Sequence, residues 1–360
     1  MAFEPAPPSP ALRSMSSDCQ CQEVGSWTAA TPGGTLRKFG IEIGLSLVVS
    51  PMVLGRQRDL ERADIPRDPA CHIYIVTQAP RMSILPQDVK IEDGVISVVA
   101  RRQHEGNFTC LDFQMDYTYN AGSGQIKWTS NYPFEDFSII DEKSGEVVVS
   151  GSVYALLMQL DLDPSWRTHE VLYVGQAFGK EGEKQAFDRL RKHDTLQRIY
   201  SEQRPDREIW LSLCAITDVA TMSTMHPTDH GSVSEEEDKA HAVRVYQKVI
   251  QNEQFNGHEG VALAEAGLIR YFQPTYNKIF RDNFPDPEHV SLSECMDLEV
   301  NTLVVELHGM TIRASYESPT IKASHLHFAQ YPLFAADGRA SLLDFWSEGS
   351  RSVGEDTTLL

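Results

Sequence analysis

The sequence predicts an α+β protein. A small domain with a short mixed or antiparallel sheet and helices sits at its centre, between a β-rich N-terminal region, a sandwich or barrel, and a short β-rich C-terminal segment. Three observations lead there. Short apolar runs alternate with turns over residues 36–150. From about 151, strands alternate with charged helical stretches. Beyond Pro285 the pattern returns to strands.

The elements follow in order. Residues 1–35 are rich in Pro, Ser and Gly and are expected to be a disordered tail. The N-terminal β region, 36–150, contains "IEIGLSLVV", "HIYIV", "VISVVA", "FTCLDFQMDYTY", "GQIKWTS" and "GEVVVSG", with "DEKSG" at Asp141–Gly145 as a hairpin turn. A central domain spans 151–285. It begins with two strands, "SVYALLM" and "EVLYVG", on either side of a loop holding Asp163-Pro164. A helix over about 183–200, a strand "EIWLSLCAI", a polar insert at about 218–238, and helices over about 237–252 and 259–273 complete it. The strands of 286–346 are placed to complete the N-terminal β domain, with the middle region inserted into it. A helix near Ala340–Trp346 and a disordered tail, 347–360, close the chain.

Composition narrows the function. The chain has 360 residues, with 32 basic and 51 acidic side chains and a net charge of −19. That excludes a surface coated in positive charge, but not a local basic patch. The longest apolar run, Phe39–Leu54, carries Glu42 and Pro51 and alternates as a strand does, so no membrane span is expected. The N-terminus lacks a basic start and an apolar stretch, so no secretory signal is read. The six scattered cysteines are expected to be free thiols, and the location cytoplasmic or nuclear.

The glycines of "YVGQAFGK", Tyr173–Lys180, ask what approaches the backbone there. A phosphate loop needs four residues between its glycines and a hydroxyl after the lysine; here the spacing is one short and Glu181 follows. The dinucleotide fingerprint is absent as well.

Charged groups on apolar faces are more informative. In "GHEGVALAEAGLIRYFQPTYN", Val261, Leu268, Ile269 and Phe272 form one helical stripe, and Glu265 sits in its middle. A carboxylate there needs a cation, either a side chain or a metal. Pro274 stops the helix and leaves Asn277 on the loop beyond it. In the helix after "YVGQ", Arg189 and His193 are four apart and project side by side, one suited to phosphate and the other to proton transfer. Arg189, Arg191, Lys192 and Arg198 face one acid, Asp194. Arg270, Lys278 and Arg281 form a second basic stretch. Tyr154 and Tyr173 reach one face if their strands pair as a hairpin.

Taken in order, these pieces resemble the GIY-YIG endonuclease family over about residues 151–281. The family's Gly-Ile-Tyr strand is approximated by "SVY" with Tyr154, its glycine displaced to Gly151, and Tyr-Ile-Gly by "YVG", Tyr173–Gly175, followed by Gln176. Arg189 and His193 match the first helix. "EAGLIRYFQPTYN" matches the block around the metal-binding glutamate at Glu265, Leu268, Ile269, Phe272, Pro274, Tyr276 and Asn277. The resemblance implies a metal-dependent endonuclease acting on nucleic acid, DNA before RNA. Glu265 holds one Mg²⁺ or Mn²⁺. Tyr154 activates water with His193, Arg189 and Tyr173 hold the scissile phosphate, and Asn277 supports the site. Gly175 leaves room for the nucleic-acid backbone, and Gln176, Arg191, Lys192 and Lys278 extend the binding surface. The β regions are expected to recognise nucleic acid or to mediate a homodimer.

Three other readings stand beside it. A silent module with this fold would dock a basic partner. A metal-binding regulator would use His226, Asp229, His230 and His241. A cysteine hydrolase would pair Cys214 with His193, although Cys214 lies inside an apolar strand where a buried, inert thiol is expected.

Overall fold

The computed structural model describes residues 37–334 except 62, 119–124, 161–162, 178–193, 226–231, 251–256 and 286–291. The protein is α+β and strand-rich, with a nearly closed, barrel-like main sheet.

β1 (Ile41–Gly55) leads through a short helix α1 (Gln57–Leu60) to β2 (Ile73–Pro80). A run of small strands follows: β3 (Met82–Ser83), β4 (Val89–Glu92), β5 (Val95–His104), β6 (Asn107–Asp116), β7 (Ile126–Thr129), β8 (Asp136–Asp141) and β9 (Val147–Ser152). Then come helix α2 (Val153–Leu157), β10 (Thr168–Gln176), α3 (Asp194–Ser201), β11 (Arg207–Met225), α4 (Glu235–Ile250) and α5 (His258–Phe272). β12 (Val300–His308), β13 (Ser315–Ser318), β14 (Ile321–Ser324) and β15 (Leu326–Pro332) close the described chain.

The main sheet has eight strands in the order β14-β13-β10-β2-β11-β1-β12-β15. It draws on all three sequence regions, so it crosses the boundary expected at residue 150. β12 and β15 do join the N-terminal strand, as expected: β12 runs parallel to β1 and antiparallel to β15. The nesting is otherwise the reverse of the expected one. The small strands from β3 to β9 form a module spliced into the main sheet between β2 and β10, with β6-β5-β4/β3 as one ladder and β7-β8-β9 as another. The hairpin turn at Asp141–Gly145 forms as expected. Asp141 Oδ1 accepts from the amides of Lys143 and Ser144, and Gly145 takes φ +73°.

Three apolar clusters hold these layers. α5 lays Val261, Leu268, Ile269 and Phe272 on one face of the main sheet, against Ile43, Ile75, Val171 and Val174. α3 covers part of the opposite face with Leu196 and Ile199, against Tyr74, Val76, Leu172 and Leu211. The module's core joins the sheet through Trp210 and Ala79. At that seam the buried Arg56 reaches Asp136 at 2.5 Å and Arg81 pairs with Glu135. Glu208 lies beside Glu135, and burial followed by that neighbouring charge pushes its carboxyl up to about 8.

"SVYALLM" is a helix, not the expected strand. Ser152 caps it by accepting from the Ala155 amide at 3.1 Å, and Ala-Leu-Leu favours the helical turn. The polar insert is also strand at its start. β11 runs on to Met225 because β1 pairs with it as far as Ile41. Pro274 ends α5 as expected, with Gln273 in the left-handed conformation at the cap.

Candidate functional site

β10 and β2 are antiparallel neighbours, and β2 pairs with β11 on its other side. The β10–β2 register breaks between Val171 and Tyr173, where Leu172 is the extra residue of a bulge. Leu172 and Tyr173 thereby both turn toward the face that carries Tyr74. Beyond the bulge, Tyr173 pairs with Val76, Val174 with Ile75, and Gly175 with Tyr74.

That last pair answers the question raised by Gly175. A Cβ on Gly175 would lie 2.5 Å from both Cζ and Oη of Tyr74. A neighbouring phenol therefore requires the glycine at this position. The rings of Tyr74 and Tyr173 are 6.0 Å apart between centroids. Just after Gln176, the Ala177 amide donates to His72 O at 2.8 Å and ties the end of β10 to the start of β2.

The outer side of β10 is closed by side chains and loop rather than by a strand. β13 pairs with Thr168–Glu170 only. Past that point Tyr276 N donates to Leu172 O at 3.1 Å. The Asn277 amide then pairs with both backbone groups of one residue: Oδ1 accepts from Val174 N at 2.9 Å and Nδ2 donates to Val174 O at 2.8 Å. Asn277 is buried and mimics an adjacent strand. Pro274 and the left-handed Gln273 bring it there from the end of α5. Tyr276 Oη donates to Glu202 at 2.7 Å, and Arg198 pairs with Glu202 and stacks over the Tyr276 ring.

Tyr154 lies elsewhere. The expected hairpin of its segment with β10 does not form, since β10 pairs with β2 and β13. Its ring packs on Trp210 at 4.2 Å, and its Oη lies 2.6 Å from His169 Nε2. His169 Nδ1 meets Thr77 Oγ1 at 3.0 Å, and the Thr77 hydroxyl donates onward to Trp210 O at 3.4 Å. The chain therefore runs from Tyr154 to a neutral imidazole, then to Thr77. Burial pushes His169 down to about 3 and Tyr154 well above the usual phenol range, so neither group changes charge near neutral pH. A cleft of about 590 Å³ at the module seam is lined by Arg56, Arg58, Asp136, Tyr154 and Trp210, yet the Tyr154 hydroxyl is spent on His169.

The remaining expected residues divide as follows. Glu265 is half-buried within the stripe of α5 and is engaged in an interaction. α5, which carries Glu265, packs on the face of the main sheet opposite Tyr74. Gln176 is half-buried, and its Oε1 has no hydrogen-bond partner among the described residues. Lys278 is exposed next to Asn277. Arg189, Arg191, Lys192 and His193 lie outside the described residues, as do His226, Asp229 and His230. His241 is buried and stacks on Phe39 at 3.9 Å. Cys214 is buried, and burial pushes its thiol up, as an inert thiol requires. Cys71, Cys110 and Cys295 form no disulfide among the described residues. Among the described residues no group of three or more His, Cys, Asp and Glu is arranged to hold a metal, and no helix is long and apolar enough to cross a membrane.

Tyr74 is the residue that the sequence reading passed over. It lies in the run "HIYIV", read from the sequence only as a strand. The module between β2 and β10 separates Tyr74 from Tyr173 by 99 positions in the chain.

No family model matches the chain, and no curated protein or solved structure is significantly similar to it.

Proposed function

We propose that the chain is a metal-dependent phosphodiesterase of the GIY-YIG kind, acting on nucleic acid, with Tyr74 in the role first assigned to Tyr154. The observation that carries this is the register pair Tyr74–Gly175, with Tyr173 6.0 Å away and Asn277 clamping Val174 between them. Three antiparallel strands with the "IY" strand in the middle and "YVG" beside it support the same reading.

The donor chemistry of Glu265 fits a hard cation. Mg²⁺ takes one or two protein carboxylates and fills its other positions with water and phosphate oxygens, so one half-buried glutamate suffices. When bound, Mg²⁺ or Mn²⁺ supplies charge neutralisation on the phosphate. The protein does the rest. Tyr74 is fully buried, so it would serve as the base only once water reaches its Oη and only as the phenolate, which then takes the proton of the attacking water. Tyr173 orients the phosphate, joined on the resemblance alone by Arg189 and His193. Asn277 fixes the strand that carries Tyr173 and Gly175, because a shift of β10 would break both of its hydrogen bonds.

Nicking of supercoiled plasmid with Mg²⁺ or Mn²⁺ tests this. Tyr74→Phe and Glu265→Gln should each slow nicking by about a hundredfold or more while the fold survives. Full activity in Tyr74→Phe, or its loss in Tyr154→Phe, overturns the reassignment; full activity in Glu265→Gln overturns the metal role.

A second reading has its own support. Residues 82–157 hold five basic and eleven acidic side chains, a net of −6. An acidic module repels DNA and suits the docking of a basic partner. Absence of nicking on any DNA or RNA substrate, with the fold intact, favours this reading.

A further inference from the structure

Strand edges left open in a folded chain tend to be short, bent or charged. Most edges here follow that rule. β14 has four residues and carries Lys322, and β15 ends in Pro332. β3 has two residues, and β4 and β7 four each. β9 is broken at Val148, where the β8 register skips a residue.

β6 departs from it. This strand has ten residues, and its pairing with β5 is unbroken from Asn107↔His104 to Asp116↔Val95. Among the described residues no strand pairs with its outer edge. Its side chains alternate. Leu111, Phe113 and Met115 turn inward, pack against the module's core and stay only half-buried. Phe108 is 56% exposed on the other face, which also carries Asp112 and Asp116. The core is therefore unfinished along this edge.

A further strand would complete the ladder and cover the three half-buried side chains. A second copy of β6 fits badly. Antiparallel copies overlapping along their length place Asp112 directly opposite Asp112, or one step diagonal to it, and like charges so placed are destabilising. The net charge of −6 on the module adds to that repulsion. A different chain with the opposite charge meets no such penalty.

We infer that the outer edge of β6 is a docking rail for an extended segment of a basic partner protein. The segment adds as a strand, with small apolar residues alternating along its inner face and two Lys or Arg four positions apart on its outer face, opposite Asp112 and Asp116. Backbone hydrogen bonds supply affinity, and the spacing of the charges supplies the choice of partner. This stands independently of the phosphodiesterase reading.

The test uses the full-length protein and the nonapeptide KVTVKVTVT, with EVTVEVTVT as its charge-reversed control, in fluorescence anisotropy at physiological salt. The wild type should prefer the lysine peptide by about tenfold, since two rim ion pairs are worth about that much. Asp112→Lys/Asp116→Lys should reverse the preference and bind the glutamate peptide. Hydrogen exchange should slow at β6 amides when the lysine peptide binds. Equal affinity for both peptides, or protection that falls outside β6, overturns the inference. A concentration-dependent dimer of the wild type that protects β6 overturns it in favour of a second copy.

Discussion

Tyr154 and Tyr74 are both buried phenols, and short stretches of sequence present them alike. In the module's seam, Tyr154 donates a hydrogen bond to the neutral His169, which donates to Thr77, and the chain ends on a backbone carbonyl. In the β10–β2–β11 trio, Tyr74 crosses a glycine, with a second tyrosine alongside and an asparagine clamping the next residue. The first arrangement satisfies a phenol and seals it. The second gives up a side chain, the Cβ at position 175, to bring a phenol close to a neighbouring backbone. Burial does not separate the two, since Tyr74 is fully buried and Tyr154 nearly so; what differs is the partner, an imidazole for Tyr154 and a glycine backbone for Tyr74.

Breaking the contrast should have graded effects. The largest is steric. Gly175→Ala puts a methyl 2.5 Å from the Tyr74 ring and should cost about 3 kcal/mol in urea denaturation. Gly151→Ala, whose Cβ meets only Phe137 at 3.7 Å, should cost well under about 1 kcal/mol. Similar losses in the two variants would mean that the close approach at Gly175 is not a real constraint.

Next is activity. On the proposed reading, Tyr74→Phe loses about a hundredfold in nicking rate, or about 2.7 kcal/mol, whereas Tyr154→Phe stays within a few-fold. Asn277→Ala follows. It leaves the Val174 amide and carbonyl without their buried partners and should cost about 2 kcal/mol. Asn277→Asp keeps an acceptor for Val174 N but faces Val174 O with a carboxylate, so it should be no better than alanine. A rescue by aspartate would show that only one of the two hydrogen bonds matters.

The effects that are small near neutral pH are the pH-dependent ones, and they carry opposite signs for His169 and Glu208. His169 is held down to about 3 in the folded protein, against about 6.5 unfolded. Between those values the unfolded chain binds a proton that the folded chain refuses, so stability falls as the pH drops from 6.5. His169→Asn should flatten that slope by up to one proton, about 1.4 kcal/mol per pH unit. Glu208 is held up to about 8, so there the folded chain keeps a proton that the unfolded chain releases above about 4.5. Stability falls as the pH rises through that window. Glu208→Gln should therefore gain on the wild type between pH 5 and 8.5, by about 1 kcal/mol in denaturation midpoints converted to free energy. A variant that gains nothing would mean that Glu208 is ionised beside Arg56 throughout.

Much of the architecture was legible residue by residue. Alternation in "IEIGLSLVV", "HIYIV" and "VISVVA" is period-two burial, and each run became a strand. The stripe of Val261, Leu268, Ile269 and Phe272 foretold the buried face of α5, and Pro274 its end. Asp141–Gly145 carried the chemistry of its turn in its own side chains. The reading named Tyr173, Gly175 and Asn277, which the folded sheet brings together, and passed over Tyr74 beside them. "SVY" was nearer to "YVG" in sequence, and "HIY" was nearer in space.

What the chain settles by itself is whatever depends on neighbours a few positions away: periodicity, caps, turns and the breaks at proline. Which strand lies beside which was decided only by the folded whole. β2 and β10 meet across an interposed module because pairing is paid in long-range contacts, and the sequence between two partners places almost no limit on them. For the same reason Tyr74, and not Tyr154, stands opposite Gly175, and Asn277 finds Val174 from 103 positions away.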